Sequence, residues 1–211
     1  MSGVKPRSFA GVVLATWLLS ACSGAPAPAP SIPVTTGGAE TSAASSSTPA
    51  AGATESNPPG DIPDNQAYVA FTPPGGGFSV KIPEGWASST AGATTTFTDK
   101  LNQVQVTAAK VDVAPTVVSV TATDGPALKA QVPQFVLGTV STVTRQAGPA
   151  VLVTYQGDSP PNPVTGKVVR DAFERYIFFH AGSRVDLTLS GPTNADNVDP
   201  WRTVTDSLRW Q

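Results

Sequence analysis

The chain has 211 residues, a formal net charge of −2, and a single cysteine and a single histidine. One cysteine excludes an intrachain disulfide, and one Cys with one His excludes zinc sites of the usual composition; Cys–His catalysis is excluded only if that cysteine is used up elsewhere, as the reading of the N-terminus below expects. The near-neutral charge offers no bulk attraction to nucleic acid or to anionic headgroups.

The first element is an export signal. Lys5 and Arg7 precede a short apolar run from Phe9 to Leu19, which closes on Leu19-Ser20-Ala21-Cys22. A basic start, a short apolar stretch and small residues before a cut describe a secretory leader. A membrane-spanning helix needs about 20 consecutive apolar residues, and this run is too short. The ending resembles the bacterial lipobox, in which the cysteine is lipidated and becomes the mature N-terminus. Residues 1–21 therefore read as a lipoprotein signal peptide, with Cys22 the lipidation site. No twin arginine is present, so the expected route is general secretion of the unfolded chain. The expected location is the outer face of the cell membrane. One acyl chain binds a membrane only marginally, at about 0.8 kcal/mol per buried methylene. Bacterial lipoproteins carry two or three, which makes the anchor firm.

Residues 22–66 are Ala, Pro, Ser, Thr and Gly with scattered acids (Glu40, Glu55, Asp61, Asp64) and neither Lys, Arg nor an aromatic residue. Such a segment cannot bury enough apolar surface to offset the entropy of ordering, and reads as a disordered tether. As a flexible coil it spans about 35–40 Å root-mean-square.

Residues 67–211 read as a single globular domain, mostly of strands. Phe78, Val80 and Ile82 alternate with Ser79 and Lys81, a half-buried strand. Gln103–Val113 and Gly138–Arg145 are rich in Val and Thr, and Val151, Val153 and Tyr155 alternate after an Ala147-Gly148-Pro149 turn. Ala181-Gly182-Ser183 is a three-residue hairpin signal between Lys167–His180 and Arg184–Ser190. The first arm of this hairpin is bulky on both faces, as a central strand covered on both sides must be. Two helices are expected. One runs from Asp124, a possible cap, to Val132, stopped by Pro133. The other is capped by Asp199 with Pro200 in its first turn and a Trp201/Val204/Leu208 stripe, and it ends with Arg209 against the helix dipole. The expected class is α+β, an antiparallel sheet flanked by helices.

The run Phe78-Ser79-Val80-Lys81-Ile82-Pro83-Glu84-Gly85-Trp86 resembles the opening segment of PsbP/Mog1-like domains, and Asp206-Ser207-Leu208-Arg209-Trp210 resembles their terminal helix. With the lipobox and tether, the chain is similar to actinobacterial PsbP-like lipoproteins. That resemblance implies an α/β/α sandwich and a binding or accessory role without chemistry. It carries no ligand site across by motif, and fold by itself fixes no function.

Chemical motifs are sparse. His180 beside a turn reads as a strand-end residue. No Gly-x-Ser-x-Gly elbow is present, and Gly75-Gly76-Gly77 lacks the Lys-Ser/Thr ending of a phosphate loop. Asp196, Asn197 and Asp199 could supply oxygen ligands to calcium, but helix capping accounts for them. Asp171, Glu174 and Asp186 could act as paired carboxylates, but Arg170, Arg175 and Arg184 are interleaved with them as cross-strand partners. Neither a metal nor any other cofactor is expected. Among the aromatics, Trp86, Tyr155, Tyr176 and Trp201 are the candidate ligand-binding residues, with the proline-rich loop Asp158–Thr165 bordering the site. Phe173 and Trp210 belong to the same aromatic set. The leading expectation is a non-enzymatic binding lipoprotein for an apolar or amphiphilic envelope lipid, held in a cleft between sheet and helix. The alternatives are a protein-interaction module docking on a membrane or wall complex and, last, a hydrolase.

Overall fold

Alternating Val/Leu and Thr/Ser residues pleat much of the described part of the chain into strands, because β-branched side chains pack well on a half-buried surface. The computed structural model describes residues 58–162 and 164–211. The expected leader, Cys22 and the tether as far as Asn57 lie outside them. In chain order the elements are β1 (Tyr68–Phe71), β2 (Phe78–Pro83), β3 (Ala87–Ala91), β4 (Thr94–Asp99), β5 (Asn102–Lys110), α1 (Val117–Gln131), β6 (Val136–Arg145), β7 (Gly148–Asp158), β8 (Arg170–His180), β9 (Ser183–Pro192), α2 (Val198–Asp206) and β10 (Arg209–Trp210).

A seven-stranded sheet runs β3-β4-β5-β9-β8-β7-β6, and a three-stranded sheet runs β1-β2-β10. Every strand pair in both is antiparallel. The α+β class, an antiparallel sheet with helices on its faces, is thus what the structure has. One face of the large sheet presents Val104, Val106, Tyr176, Phe178, Val185, Leu187 and Leu189, and it packs on Phe78, Val80 and Ile82 of β2 and on Trp201 and Val204 of α2. The other presents Val151, Val153, Tyr155 and Ile177, and α1 covers these with Val120 and Leu128. The bulk of β8 on both faces is explained by this double cover.

Three expectations shift. The first helix starts seven residues earlier than Asp124: Thr116 is its N-cap, locked with Ser119 in a reciprocal capping box, and Pro126 lies inside it. The run Val117-Val118-Ser119-Val120-Thr121 is β-branched and reads as strand. Tertiary burial of Val120 and Leu128 overrides that propensity. Asp124 is released from capping and instead pairs with Arg184. The second helix is preceded by Asn197, with Asp199 in its first turn and its last residue at Asp206. Arg209 sits just beyond, in β10, yet its guanidinium still donates to the carbonyls of Asp206 and Leu208 at 2.7 Å each. The hairpin turn is two residues long, since His180 pairs with Ser183. Ala181 and Gly182 both take positive φ (46° and 75°), as a turn matching the strand twist requires.

The domain also reaches back beyond residue 67. Ile62 is buried in the first core cluster. Asn197 accepts a hydrogen bond from the Ile62 N–H at 2.8 Å, and its amide donates to the Gly60 carbonyl and to Asn102 Oδ1, both at 3.0 Å. Asn102 also donates to the Gly60 carbonyl at 2.8 Å. Two buried asparagines therefore stitch the entering chain to β5 and α2, and a Cβ at Gly191 would collide with Asn102 Oδ1. Replacing Asn197 with Ala leaves the Ile62 N–H without this acceptor and is expected to cost about 2 kcal/mol of stability. Asn102→Ala is expected to cost a similar amount, and the double variant less than the sum. Urea denaturation of the four proteins measures this coupling.

Candidate functional site

The best-formed apolar concavity opens where β5 and β9 run out beneath the β1–β2 loop. Alternation along β5 puts Val106, Ala108 and Lys110 on one face. Across the ladder Ala108 faces Val185 and Lys110 faces Ser183. Pro73-Pro74-Gly75-Gly76-Gly77 forms a lip over this floor, tied by a Gly76 N–H to Pro73 carbonyl bond of 2.9 Å. Gly76 and Gly77 take φ of 64° and 85°, values that side-chain-bearing residues rarely adopt. Thr90, Gly92 and Ala93 at the β3–β4 turn close the third side. The cleft has a volume of about 330 Å³ and a mostly apolar wall, inside the range of small-molecule sites, roughly 300–1,000 Å³. No carboxylate lines it.

Two other grooves differ in kind. One of about 590 Å³ lies between β2 and α2 and is lined by Lys81, Asp199, Arg202, Asp206 and Arg209 among others. Its charges are partly spent on each other, with Asp206 bridging Arg202 at 3.4 Å and Arg145 at 3.9 Å. The third, about 310 Å³, lies at the β6 end of the large sheet and is lined by Tyr155, Phe173 and Trp201 beside the exposed Val136 and Leu137.

The four candidate aromatics do not converge on one site. Tyr155 and Trp201 both line the third groove. Tyr155 is itself buried, stacked on Phe173 at 4.6 Å, and burial pushes its hydroxyl up to about 12 against the opposing pull of Arg175. Tyr176 is a buried link: its hydroxyl accepts from Arg145 at 2.7 Å and donates to Glu174 at 2.8 Å. Burial, followed by Glu174, raises it to about 12. Trp86 is half-buried against the first core cluster. The Asp158–Thr165 loop lines none of the three cavities among the described residues. The sequence reading weighed Gly75-Gly76-Gly77 only as a phosphate loop and did not read the Pro73–Gly77 loop as the lip of an apolar cleft. The signal for it was present as a rigid Pro-Pro followed by three glycines, facing an Ala-rich strand end.

The carboxylates are also dispersed. Glu174 lies on the α2 face of β8, and Asp171 on the opposite, α1 face. Asp186, on that same α1 face, is held by Arg175 and Arg184, the latter through Nε at 2.8 Å. Burial opposes the charge on Arg184, but its bonds to Asp186 and Asp124 outweigh that and hold its pKa above the usual range. His180 stacks on Trp210 with ring centroids 5.3 Å apart. Asn197 is committed to its buried network, and Asp196 donates its backbone N–H to Asp61 at 2.9 Å. Among the described residues no cluster of three or more His, Cys, Asp or Glu is placed to hold a metal. No helix among them is long and apolar enough to cross a membrane.

No family model matches the sequence, and no curated protein does. Solved structures that it resembles include the cyanobacterial PsbP, CyanoP, of Synechocystis sp. PCC 6803 (15% identity over 69% of this chain and 94% of that one, TM-score 0.48). The Ran-binding protein Mog1p of Saccharomyces cerevisiae aligns over 69% and 96% at 7% identity and a TM-score of 0.49. LpqN of Mycobacterium tuberculosis, involved in cell envelope biogenesis, aligns over 69% and 91% at 12% identity and a TM-score of 0.39. The chain spans about half the length, 48%, of a further similar structure from Bacteroides thetaiotaomicron. These likenesses concern overall arrangement and place no activity or residue role on this chain.

Asp171 stands apart. It is 7% exposed, and its Oδ1 is buried without a hydrogen-bond partner. Burial, followed by the nearby Asp158, pushes its carboxyl up to about 6. The folded state therefore holds this proton more tightly than the unfolded chain, whose carboxyl titrates near 3.8. The stability that Asp171 contributes is fullest below about pH 4 and is lost as pH rises through about 6. Asp171→Asn is expected to gain on the order of 2 kcal/mol at pH 7.5 and to flatten the slope between pH 4 and 6. Thermal melts across that window measure both effects.

Proposed function

We propose that this chain is a lipid-anchored extracytoplasmic binding protein that performs no chemistry and holds an apolar or amphiphilic envelope ligand beneath the Pro73–Gly77 lip. The observation that carries this reading is the cleft itself. Val106, Ala108, Val185 and Phe78 give it an apolar floor, and no carboxylate lines it. Each methylene seated there gains about 0.8 kcal/mol, so an alkyl chain binds without a directed polar contact. Cys22 and the tether support the same reading, because they hold the domain near the source of such ligands. The dispersal of Asp171, Glu174, Asp186 and His180 supports a role without catalysis.

A second reading, docking on a membrane or wall protein, is favoured by one observation. The outer edge of β6 carries Val136 (55% exposed) and Leu137 (42% exposed) next to the Trp201 groove. An unpaired strand edge is a template for another chain.

Ala93 is exposed at the mouth of the cleft, so Ala93→Trp blocks entry without touching the core. The mature chain, incubated with envelope lipids and separated from the excess, is expected to retain lipid by native mass spectrometry. The Ala93→Trp variant is expected to retain at most about a tenth as much, with an unchanged melting temperature. Equal retention by both proteins counts against the cleft. Cys22→Ser is expected to shift the protein from the membrane to the soluble fraction while leaving retention intact, as fractionation followed by the same mass measurement shows.

A further inference from the structure

The cleft has a polar end, and it is cationic. Lys110 follows Val106 and Ala108 at two-residue spacing on the same face of β5, so the apolar floor runs directly into an ammonium group. Its Nζ donates to Ser183 Oγ at 2.7 Å, across the last rung of the β5–β9 ladder. Lys110 makes no ion pair among the described residues. The other cation at the cleft, Arg184, is turned to the opposite face of the sheet and consumed by Asp124 and Asp186. The register extends the row one strand further, from Lys110 through Ser183 to His180. An apolar trough ending in a positioned, uncompensated ammonium and a hydroxyl fits a molecule with an alkyl chain and a negatively charged head.

Resting on the binding reading above, we infer that the cleft selects anionic amphiphiles, with Lys110 and Ser183 receiving a carboxylate or phosphate head while the chain lies along Val106, Ala108 and Val185. A neutral head of equal size gains only the apolar part of this contact. A hydrogen bond to a charged group on a half-dry rim corresponds to roughly tenfold in affinity. The contact weakens with salt, because the rim is open to solvent.

The test compares three probes of one chain length by isothermal titration to the mature chain, each below its critical micelle concentration: palmitate, palmitoyl-lysophosphatidylglycerol and neutral monopalmitoylglycerol. At least one anionic probe is expected to bind roughly tenfold tighter than the neutral one. Palmitate alone showing the gain assigns a carboxylate head, and the lysophospholipid alone assigns a phosphate. Lys110→Met is expected to erase the preference for an anionic head, and Lys110→Arg to restore most of it. Lys110 is exposed, and melting curves of the variants show whether they fold as the parent does. Equal affinity for all three probes overturns the head-group assignment and leaves the apolar cleft standing. Binding of none overturns both. A preference that survives Lys110→Met removes Lys110 as its origin.

Discussion

Burial of β9 on both sides is the constraint on which the rest of the domain depends. It is the fourth of seven strands, hydrogen-bonded to β5 along one edge and to β8 along the other. All of its residues from Val185 to Pro192 are buried. Its two faces are nevertheless unlike. Val185, Leu187 and Leu189 enter the core under β2 and α2, whereas Asp186, Thr188 and Ser190 enter the opposite side. A buried carboxylate at the middle of a sheet is tolerated only when paired and hydrogen-bonded. Arg175 and Arg184 supply that pairing, and Asp124 of α1 completes it. The helix therefore docks through Val120 and Leu128, with the charge of Asp124 between them on the same face.

The same strand positions the cleft. Where β9 emerges at Ser183 and β5 ends at Lys110, the layer above the sheet is no longer a helix but the loop joining β1 to β2. A loop of prolines and glycines cannot fill the space that a helix side chain fills, so a trough remains over Ala108 and Val185. Small residues on the floor and a lip without bulk thus make a cavity at the end of a core that is otherwise close-packed. Charge follows from the same register: the alternation that places Ala108 inward brings Lys110 to the rim, and places Arg184 on the far side with its acids.

How much of this could be read from the chain depended on how local each signal was. The β8–β9 hairpin was legible because the Ala181-Gly182-Ser183 turn signal, a first arm bulky on both faces and an alternating second arm are adjacent in sequence, and α2 because Trp201, Val204 and Leu208 fall on one helical stripe. The α+β class followed from both. The start of α1 was not legible, since Val117–Thr121 prefers a strand and turns helical only through the Thr116–Ser119 box and burial against β7 and β8. The packing of Gly60–Ile62 was hidden for a related reason: its partners, Asn102 and Asn197, lie 42 or more residues away. The aromatics named as ligand-binding are bulky and attract notice, yet bulk is what fills a core. The cleft is built from residues defined by what they lack, Ala and Gly, and no periodicity announces it.

The central claim is that an amphiphile lies on the β5–β9 floor beneath the Pro73–Gly77 lip. Backbone amide shifts of the mature chain, followed by NMR during titration with palmitate, locate any bound chain residue by residue. The account predicts that the largest shifts cluster at Gly75–Gly77, Val106, Ala108, Lys110 and Val185. A cluster at Val136, Leu137 and Trp201, or no localised shifts at saturating ligand, would contradict it.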